Sequence, residues 1–307
     1  MPRLTKDEWS TLIGRYQSGE LAGTLAKEFG CSGAAISAML QRKGIVRHDA
    51  SFVYRTAAGC ILNDGAFSII TPEAVYWVGF LMADGSVTNG NTVGVVLSER
   101  DVDHVEKFRQ FMGSRNKIIR EIPSRYSDSH KMTLACRFAF RSARVCADLA
   151  AHGVVRQKTH TAKASNQLAM NRDFWRGVVD GDGHVALHHM PSYFNRHPKI
   201  NAWSKPRDVA RLELVGSKEL LTQFLEFVIS VVPDTKASVR PHKSIFRVSI
   251  GGLTAARVVD NLYTGATVAL ERKANAAINI RQAGVAEIAG IPWDTRESTA
   301  VRHEHAQ

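Results

Sequence analysis

The sequence is short of cysteine, of acidic residues and of long apolar runs, and each shortage excludes a class of protein. Its 307 residues include four cysteines with no CxxC pair, so the thiols are expected to be reduced and no disulfide framework is expected. No apolar run reaches the roughly 18 residues of a transmembrane helix, and the segment MPRLTKDEWSTL lacks the apolar stretch of a signal peptide. We expect a cytoplasmic protein without a membrane partner.

The shortage of acid leaves a net positive charge that is unevenly distributed. The chain has 40 Lys plus Arg against 29 Asp plus Glu, a formal net charge of +11. The excess is +5 in residues 51–170 and +6 in residues 171–283, against +2 before them and −2 after them. The hydrophobic content of 44% is enough for a packed core, which excludes a disordered chain. The charge indicates a polyanionic partner, with nucleic acid as the first expectation.

Two parts of the chain repeat each other. YWVGFLMADGSV at 76–87 and DFWRGVVDGDGHV at 173–185 superpose at an offset of 98, with Trp, Gly, Asp, Gly and Val recurring. Further on, RFAF at 137–140 matches RVSI at 247–250, and ARVCADL at 143–149 matches ARVVDNL at 256–262. Because the order of the pieces is the same in both copies, we expect two tandem units.

The apolar patterns in each copy predict a helix, two strands, a helix, two strands and a helix. This is an α+β fold of two tandem αββαββα units, which should pack with pseudo-two-fold symmetry. We place the units at residues 72–170 and 171–283. Residues 48–71 are expected to form a linker whose last part is ordered against the first unit, and residues 284–307 a flexible tail.

Asp84 and Asp182 are predicted to lie at helix C-terminal ends, where a negative charge is unfavourable. Gly85 and Gly183 suit the left-handed residue that ends a helix, which places each Asp in a last turn, at the negative end of the helix dipole. A carboxylate there costs about 0.3–1 kcal/mol. A divalent cation held between the two ends would compensate for that charge. The alternative is two ordinary helix ends with solvated aspartates.

Small residues spaced four apart precede both acids. They are Gly79 and Ala83 in the first copy, and Gly177 and Gly181 in the second. Such spacing lets two helix backbones approach closely, so we expect the two helices to pack at Gly79 and Gly177 and to bring the two Asp-Gly ends together.

The spacing of apolar residues in segment 1–47 predicts three short helices, with a glycine-containing turn between the second and third. The segment SGELAGTLAKEFGCSGAAISAMLQRKGI resembles the helix-turn-helix of resolvase-like and sigma-factor-like DNA readers. In that geometry the third helix enters the major groove, and Ser32, Ser37 and Arg42 would face DNA. The alternative is a small helical adaptor packed on the main body.

GFLMADG and GVVDGDG resemble the two motifs of the LAGLIDADG homing endonucleases, in the single-chain form that carries both halves. The similarity covers about residues 60–281 and includes LNDGAFSIITPEAVYWVGFLMADGSV, HGVVRQKTHTA and LYTGATVALERKANAA. The resemblance implies a monomeric, site-specific endonuclease that hydrolyses both strands of a long double-stranded DNA target. It implies Mg²⁺ as cofactor, with Mn²⁺ as a substitute, and a saddle of β-strands over the duplex.

The resemblance also assigns roles to individual residues. Asp84 and Asp182 would coordinate the metal, helped by the backbone carbonyls of Ala83 and Gly181. The earlier acid of each motif, a packing or capping position in the family, is Asp180 in the second copy. In the first copy that position holds a methionine, Met82, which makes the helix interface asymmetric.

Basic and polar residues around the metal vary within that family. The candidates for polar groups near the metal or contacts to DNA are Glu99, Lys131, Arg137, Arg141, Lys243 and Arg247. Arg137 and Arg247 occupy matching places in the repeat, and outward solvated arginines are the alternative for this pair.

A group of histidines offers a competing zinc site, formed by His184, His188, His189 and His197. No cysteine lies near them, and His184 and His188 would be roughly 13 Å apart on a strand. We therefore favour solvated or DNA-facing histidines. Two other functions remain open: a catalytically silent transcription regulator with this fold, and an RNA-binding intron maturase.

Overall fold

Three helices with a core of their own open the chain. The computed structural model describes residues 4–48, 50–57, 62–121, 134–191, 194–195, 202–203 and 206–283. The helices are α1 (Lys6–Gln17), α2 (Ala22–Glu28) and α3 (Gly33–Arg42), as the periodicity predicts. Their facing side chains form a small apolar cluster of Leu12, Tyr16, Leu25, Ile36 and Leu40.

The segment expected to be a linker contains a fourth helix, α4 (Ala50–Ala57). Eight residues make only about two turns, too few for an apolar period to stand out in the sequence. The end of the segment is packed on the main body, as expected. There Phe67 is buried, and the backbone N–H of Asn63 donates to the carbonyl of Met112 at 2.8 Å.

The rest of the described chain consists of two units built in the same order. The first contains α5 (Pro72–Ala83), β1 (Gly85–Val87), β2 (Thr92–Ser98), α6 (Val102–Phe111), β3 (Ile119–Glu121), β4 (Ala135–Arg141) and α7 (Ala143–Ala151). The second contains α8 (Arg172–Asp182), β5 (Gly183–Met190), β6 (Phe194–Asn195), β7 (Ala202–Trp203), β8 (Arg207–Gly216), α9 (Lys218–Val231), β9 (Arg240–His242), β10 (Ile245–Gly251), α10 (Gly252–Tyr263) and α11 (Glu271–Gln282).

Each unit folds around a four-stranded antiparallel sheet. The strand orders are β1-β2-β4-β3 and β5-β8-β10-β9. If the short β6–β7 pair is set aside, corresponding strands of the two copies occupy the same places in their sheets. The short β6–β7 pair fills the insert of the second copy. The predicted α+β class and the two pseudo-symmetric units are therefore confirmed.

Alternation along the strands gives each sheet a core face and an outward face. Phe138 on β4 and Val248 on β10 are fully buried, so their neighbours Arg137 and Arg247 point to the opposite face. The core faces and the helices share one apolar cluster that spans both units. Among the residues described, no helix is long and apolar enough to cross a bilayer.

Candidate active site

Helices α5 and α8 cross at contacts that leave no room for a side chain. A Cβ on Gly79 would collide with the carbonyl of Phe174, and a Cβ on Gly177 would lie 2.6 Å from the backbone nitrogen of Phe80. The two glycines therefore lie at the contact between the helices, as their spacing predicts. Close backbone approach aligns the C-terminal ends of the two helices.

The expected left-handed conformation at Gly85 and Gly183 is wrong. Gly183 is extended, with φ −89° and ψ 163°, and Gly85 is not among the described glycines with positive φ. Glycine is needed there for space, because a Cβ on Gly85 would lie 2.6 Å from the carbonyl oxygen of Leu81. A Cβ on Gly183 would lie 2.5 Å from that of Val179. The chain passes directly from each helix into a strand.

The acidic ends of the two helices meet at the interface. Asp84 is the C-cap of α5 and Asp182 is the last residue of α8. A Cβ on Gly181 would lie 3.5 Å from the carboxyl carbon of Asp84, so this carboxylate lies against the end of the opposite helix. Both side chains reach solvent between the two sheets that begin at Gly85 and Gly183.

The pKa values of the two carboxylates are raised. Burial of its surroundings raises the pKa of Asp182 to about 6, and the negative charge of Asp84 acts in the same direction. Burial also raises the pKa of Asp84, while the positive charges of Lys273 and Lys158 lower it. Two like charges at one place, only partly offset by lysines, favour a further cation.

Lys273 lies under the end of α8 and is 2% exposed. Its ammonium donates to the backbone carbonyls of Val179 at 2.6 Å, Asp180 at 2.7 Å and Gly181 at 3.2 Å. Burial lowers its pKa to about 8, an effect opposed by nearby carboxylates. At neutral pH Lys273 therefore remains mostly charged, and it offsets the exposed carbonyls at the negative end of the helix.

Lys158 is a second lysine close to both acids. It lies in a 3₁₀ turn (Lys158–His160), and its ammonium donates to the carbonyl of Gly85. Burial lowers its pKa, while Asp182 and Asp84 raise it. The positions of Lys158 and Lys273 near the acids were not predicted from the sequence, although the two lysines lie in HGVVRQKTHTA and LYTGATVALERKANAA, which follow α7 and α10.

The donor set suits a hard divalent cation. Mg²⁺ is usually held by one or two carboxylates and completes its shell with water and substrate phosphate oxygens. Asp84 and Asp182 supply the carboxylates, and the carbonyls of Ala83 and Gly181 precede them. The described residues contain no group of three or more His, Cys, Asp or Glu that could hold a metal ion.

The sheet arginines lie on the outward faces. Arg137 is 40% exposed and its Nε lies 3.1 Å from Glu121. Arg247 is 42% exposed and 3.9 Å from Glu213. Each arginine is therefore oriented by a carboxylate while part of its guanidinium stays accessible from the outward face.

The remaining candidates are dispersed. Glu99 pairs with Arg120 at 2.6 Å, Arg141 ends β4, and Lys243 lies at the β9–β10 turn with φ 53°. Lys131 lies outside the described residues. The cations that act most strongly on the two acids are instead Lys158 and Lys273.

The third helix carries the other predicted DNA contacts. The Ser32 hydroxyl caps α3 by accepting from the backbone N–H of Ala35 at 3.1 Å. Ser37 is partly exposed and Arg42 is exposed on the same helix. Their proposed contacts with DNA stay predictions.

The side chains of His184 and His188 on β5 lie closer together than expected. The ring centroids of His184 and His188 are 6.0 Å apart, much closer than the backbone spacing on β5, because the side chains lean toward each other. His189 pairs with Asp208 at 2.9 Å, and His197 lies outside the described residues.

Comparison with known proteins gives only remote similarities. No family model matches the chain, and no curated protein matches it. Among solved structures, it is similar to the LAGLIDADG meganuclease I-AabMI bound to uncleaved DNA, with 9% identity, a TM-score of 0.44, and 72% of this chain and 92% of that chain covered. I-SmaMI bound to its uncleaved target with calcium ions shows 12% identity, a TM-score of 0.43, and coverage of 76% and 97%. At this distance, a function for the chain rests on its own side chains.

Proposed function

We propose that the protein is a site-specific double-strand DNA endonuclease of the homing type, acting as a monomer with Mg²⁺. The observation that carries the proposal is the meeting of two acidic helix ends, Asp84 and Asp182, beside the buried Lys273 and the half-buried Lys158. A structural role does not explain two acids placed at the negative ends of two helices, where burial raises the pKa of both and the charge of Asp84 raises the pKa of Asp182 further.

The carboxylates of Asp84 and Asp182 would hold the cation, with the carbonyls of Ala83 and Gly181 beside them. A bound Mg²⁺ supplies a water of lowered pKa and stabilises charge on the phosphate oxygens. The acids must be ionised to bind it, so binding should strengthen as pH rises through about 6, the pKa of Asp182.

The lysines provide fixed positive charge at the same place. Among the described residues, Lys158 donates to a single carbonyl, that of Gly85, which leaves N–H donors for a phosphate oxygen. Lys273 donates to three carbonyls and fixes the end of α8. Charge held in a partly dry site stabilises a phosphorane-like transition state more than it would in water.

The repeat accounts for two cuts rather than one. The strands of a DNA duplex are related by local two-fold symmetry, and the two halves of the chain have the same sheet order. Each acid with its lysine would then face one scissile phosphate. The expected product is a double-strand break.

The outward sheet faces would lie along the duplex. The cross-strand register places Arg247 opposite Val215 and Arg240 on neighbouring strands, and Arg137 opposite Val96 and Ile119. Arginines on such faces can donate to guanine edges in the major groove. The +5 and +6 excess of the two halves would make binding strongly salt-dependent.

The N-terminal helices would extend the target. Arg15 pairs with Glu20 at 2.7 Å and Glu28 at 2.6 Å, so one arginine holds two of the acids of this region. Lys27 and Arg42 stay exposed. These two cations give the exposed side of α2 and α3 positive charge, in keeping with a helix-turn-helix that contacts DNA.

The test is cleavage of DNA that flanks the protein's own gene. Purified protein should make a double-strand break with Mg²⁺ or Mn²⁺ and none with a chelator. Specific binding of the same DNA without cleavage in any metal would overturn the proposal in favour of a silent regulator. Binding of structured intron RNA in preference to DNA would favour the maturase instead.

A further inference from the structure

A buried polar network surrounds Asp180, whose side chain is fully enclosed. Its carboxylate accepts from the hydroxyl of Tyr76 at 2.7 Å, the hydroxyl of Tyr263 at 2.6 Å and the backbone N–H of Leu270 at 2.7 Å. A buried carboxylate is tolerated only with such donors and nearby positive charge. The network therefore fixes Asp180 to α5, α10 and the chain just before α11.

The contact at Leu270 sets the position of Lys273. Leu270 is the N-cap residue of α11, and Lys273 lies in the first turn of that helix. By holding the backbone of Leu270, Asp180 holds the start of α11 against α8. The ammonium of Lys273 then reaches the carbonyls of Val179 and Gly181 at 2.6 and 3.2 Å.

A buried arginine reinforces the same segment. Arg176 is fully enclosed, and its guanidinium lies 5.2 Å from the ring centre of Tyr76. It donates to the carbonyl of Val268 at 2.9 Å and to that of Leu262 at 3.2 Å. Arg176 therefore holds the chain at the end of α10 and again in the loop that leads to α11 and Lys273.

The matching place around Met82 has none of these groups. The repeat aligns Tyr76, Arg176, Asp180 and Tyr263 with Phe174, Val78, Met82 and Ala150, and all four of the latter are apolar. Lys158 follows Gln157, which has a left-handed φ of 55°, in a short turn. Within the part of the chain that the structure describes, its ammonium has one carbonyl partner, that of Gly85. Lys273 is anchored by a buried network, and the described residues provide no such network for Lys158.

We propose that Asp180 is a positioning residue for Lys273 alone, and that cleavage of one DNA strand depends on this network while cleavage of the other does not. The inference about the two strands rests on the proposed endonuclease function. The anchoring of Lys273 does not.

The anchoring is tested by chemical labelling of lysines. Full-length wild type, Asp180→Asn and Tyr263→Phe are exposed to formaldehyde and cyanoborohydride, and methylation is mapped by mass spectrometry. Met82→Leu, a volume-conserving change at the matching buried position, is the control. In the wild type Lys273 should be protected. Asp180→Asn, and to a lesser degree Tyr263→Phe, should make Lys273 reactive at least about tenfold faster, with little change at Lys158.

Equal gains at Lys158 and Lys273 would mean general loosening of the fold and would overturn the proposal. Unchanged protection of Lys273 in both variants would overturn it as well. Because Tyr263→Phe removes one hydroxyl and keeps the ring, it supplies the answer should Asp180→Asn fail to fold.

The strand dependence is tested on a cleavable duplex labelled on either strand. Asp180→Asn and Tyr263→Phe should change the ratio of the two strand-cleavage rates by about tenfold or more, as displacement of a catalytic group by an ångström typically does, and Met82→Leu should leave the ratio unchanged. Equal slowing of both strands would overturn the inference. Absence of cleavage by the wild type on either strand would instead reject the endonuclease function, and the labelling result would stand by itself.

Discussion

Replacing Gly177 by alanine should separate the two central helices. A Cβ there would lie 2.6 Å from the backbone nitrogen of Phe80 and would also collide with the carbonyl of Tyr76. Ordinary van der Waals contact begins near 3.4 Å, so the backbones would have to part by at least about 0.8 Å. Neither obstacle is a flexible side chain, so the strain cannot be relieved by a rotamer change.

The expected cost of Gly177→Ala is about 3 kcal/mol in the free energy of unfolding, the upper end of the range for overpacked cores. The matched control is Gly216→Ala in the same half. A Cβ on Gly216 would lie 3.5 Å from a side-chain carbon of Leu220, an ordinary contact. This control should change the stability by about 0.5 kcal/mol or less.

Urea unfolding followed by circular dichroism measures both variants. A midpoint for Gly177→Ala that equals that of Gly216→Ala would refute the described contact between α5 and α8. If the contact is as described, Gly177→Ala should also lower DNA cleavage at temperatures where the protein stays folded, because Asp84 and Asp182 would move apart with their helices.

Three further predictions follow from single side chains. Because the folded pKa of Asp182 is raised to about 6, its stabilising contribution is complete at low pH and is lost as pH rises through 6. Thermal unfolding should therefore show Asp182→Asn to be more stable than wild type near pH 7.5 but not near pH 4, and equal differences at both values would contradict the raised pKa. Glu213→Gln, which alters the partner of Arg211 at 2.8 Å on an outward sheet face, should change base preference in one half of the target only, as measured by cleavage of a randomised site library; no change in preference would contradict the assignment of that face to DNA. Arg42→Ala on α3 should weaken DNA binding and lower the salt dependence of the binding constant by roughly one ion in a fluorescence anisotropy titration, and an unchanged slope would remove α3 from the interface.

Repetition made most of the fold predictable from the sequence. Two copies of the same apolar pattern gave the order of helices and strands, and the small residues at Gly79 and Gly177 predicted close helix contact. The position of Asp84 and Asp182 at helix ends was likewise visible. Each of these features depends on residues that are near each other in the chain.

The features that the sequence did not reveal depend on distant parts of the chain. Lys158 and Lys273 reach the acids only because the segments after α7 and α10 return to the central helices. The pairing of Asp180 with Tyr76 and Tyr263 depends on three helices at once. The conformation of Gly85 was misjudged for a local reason, because a strand begins immediately where a left-handed helix end was expected.

The most direct test of the account compares DNA cleavage by Asp84→Asn and Asp182→Asn with that of Asp234→Asn, an exposed acid in the turn after α9. All three variants should bind target DNA, as measured by fluorescence anisotropy in calcium buffer. With Mg²⁺, the first two should lose cleavage by about a hundredfold or more, in line with removal of a metal ligand or of a group that stabilises transition-state charge, and Asp234→Asn should cleave like wild type. Full cleavage of both strands by Asp84→Asn and Asp182→Asn would contradict the account.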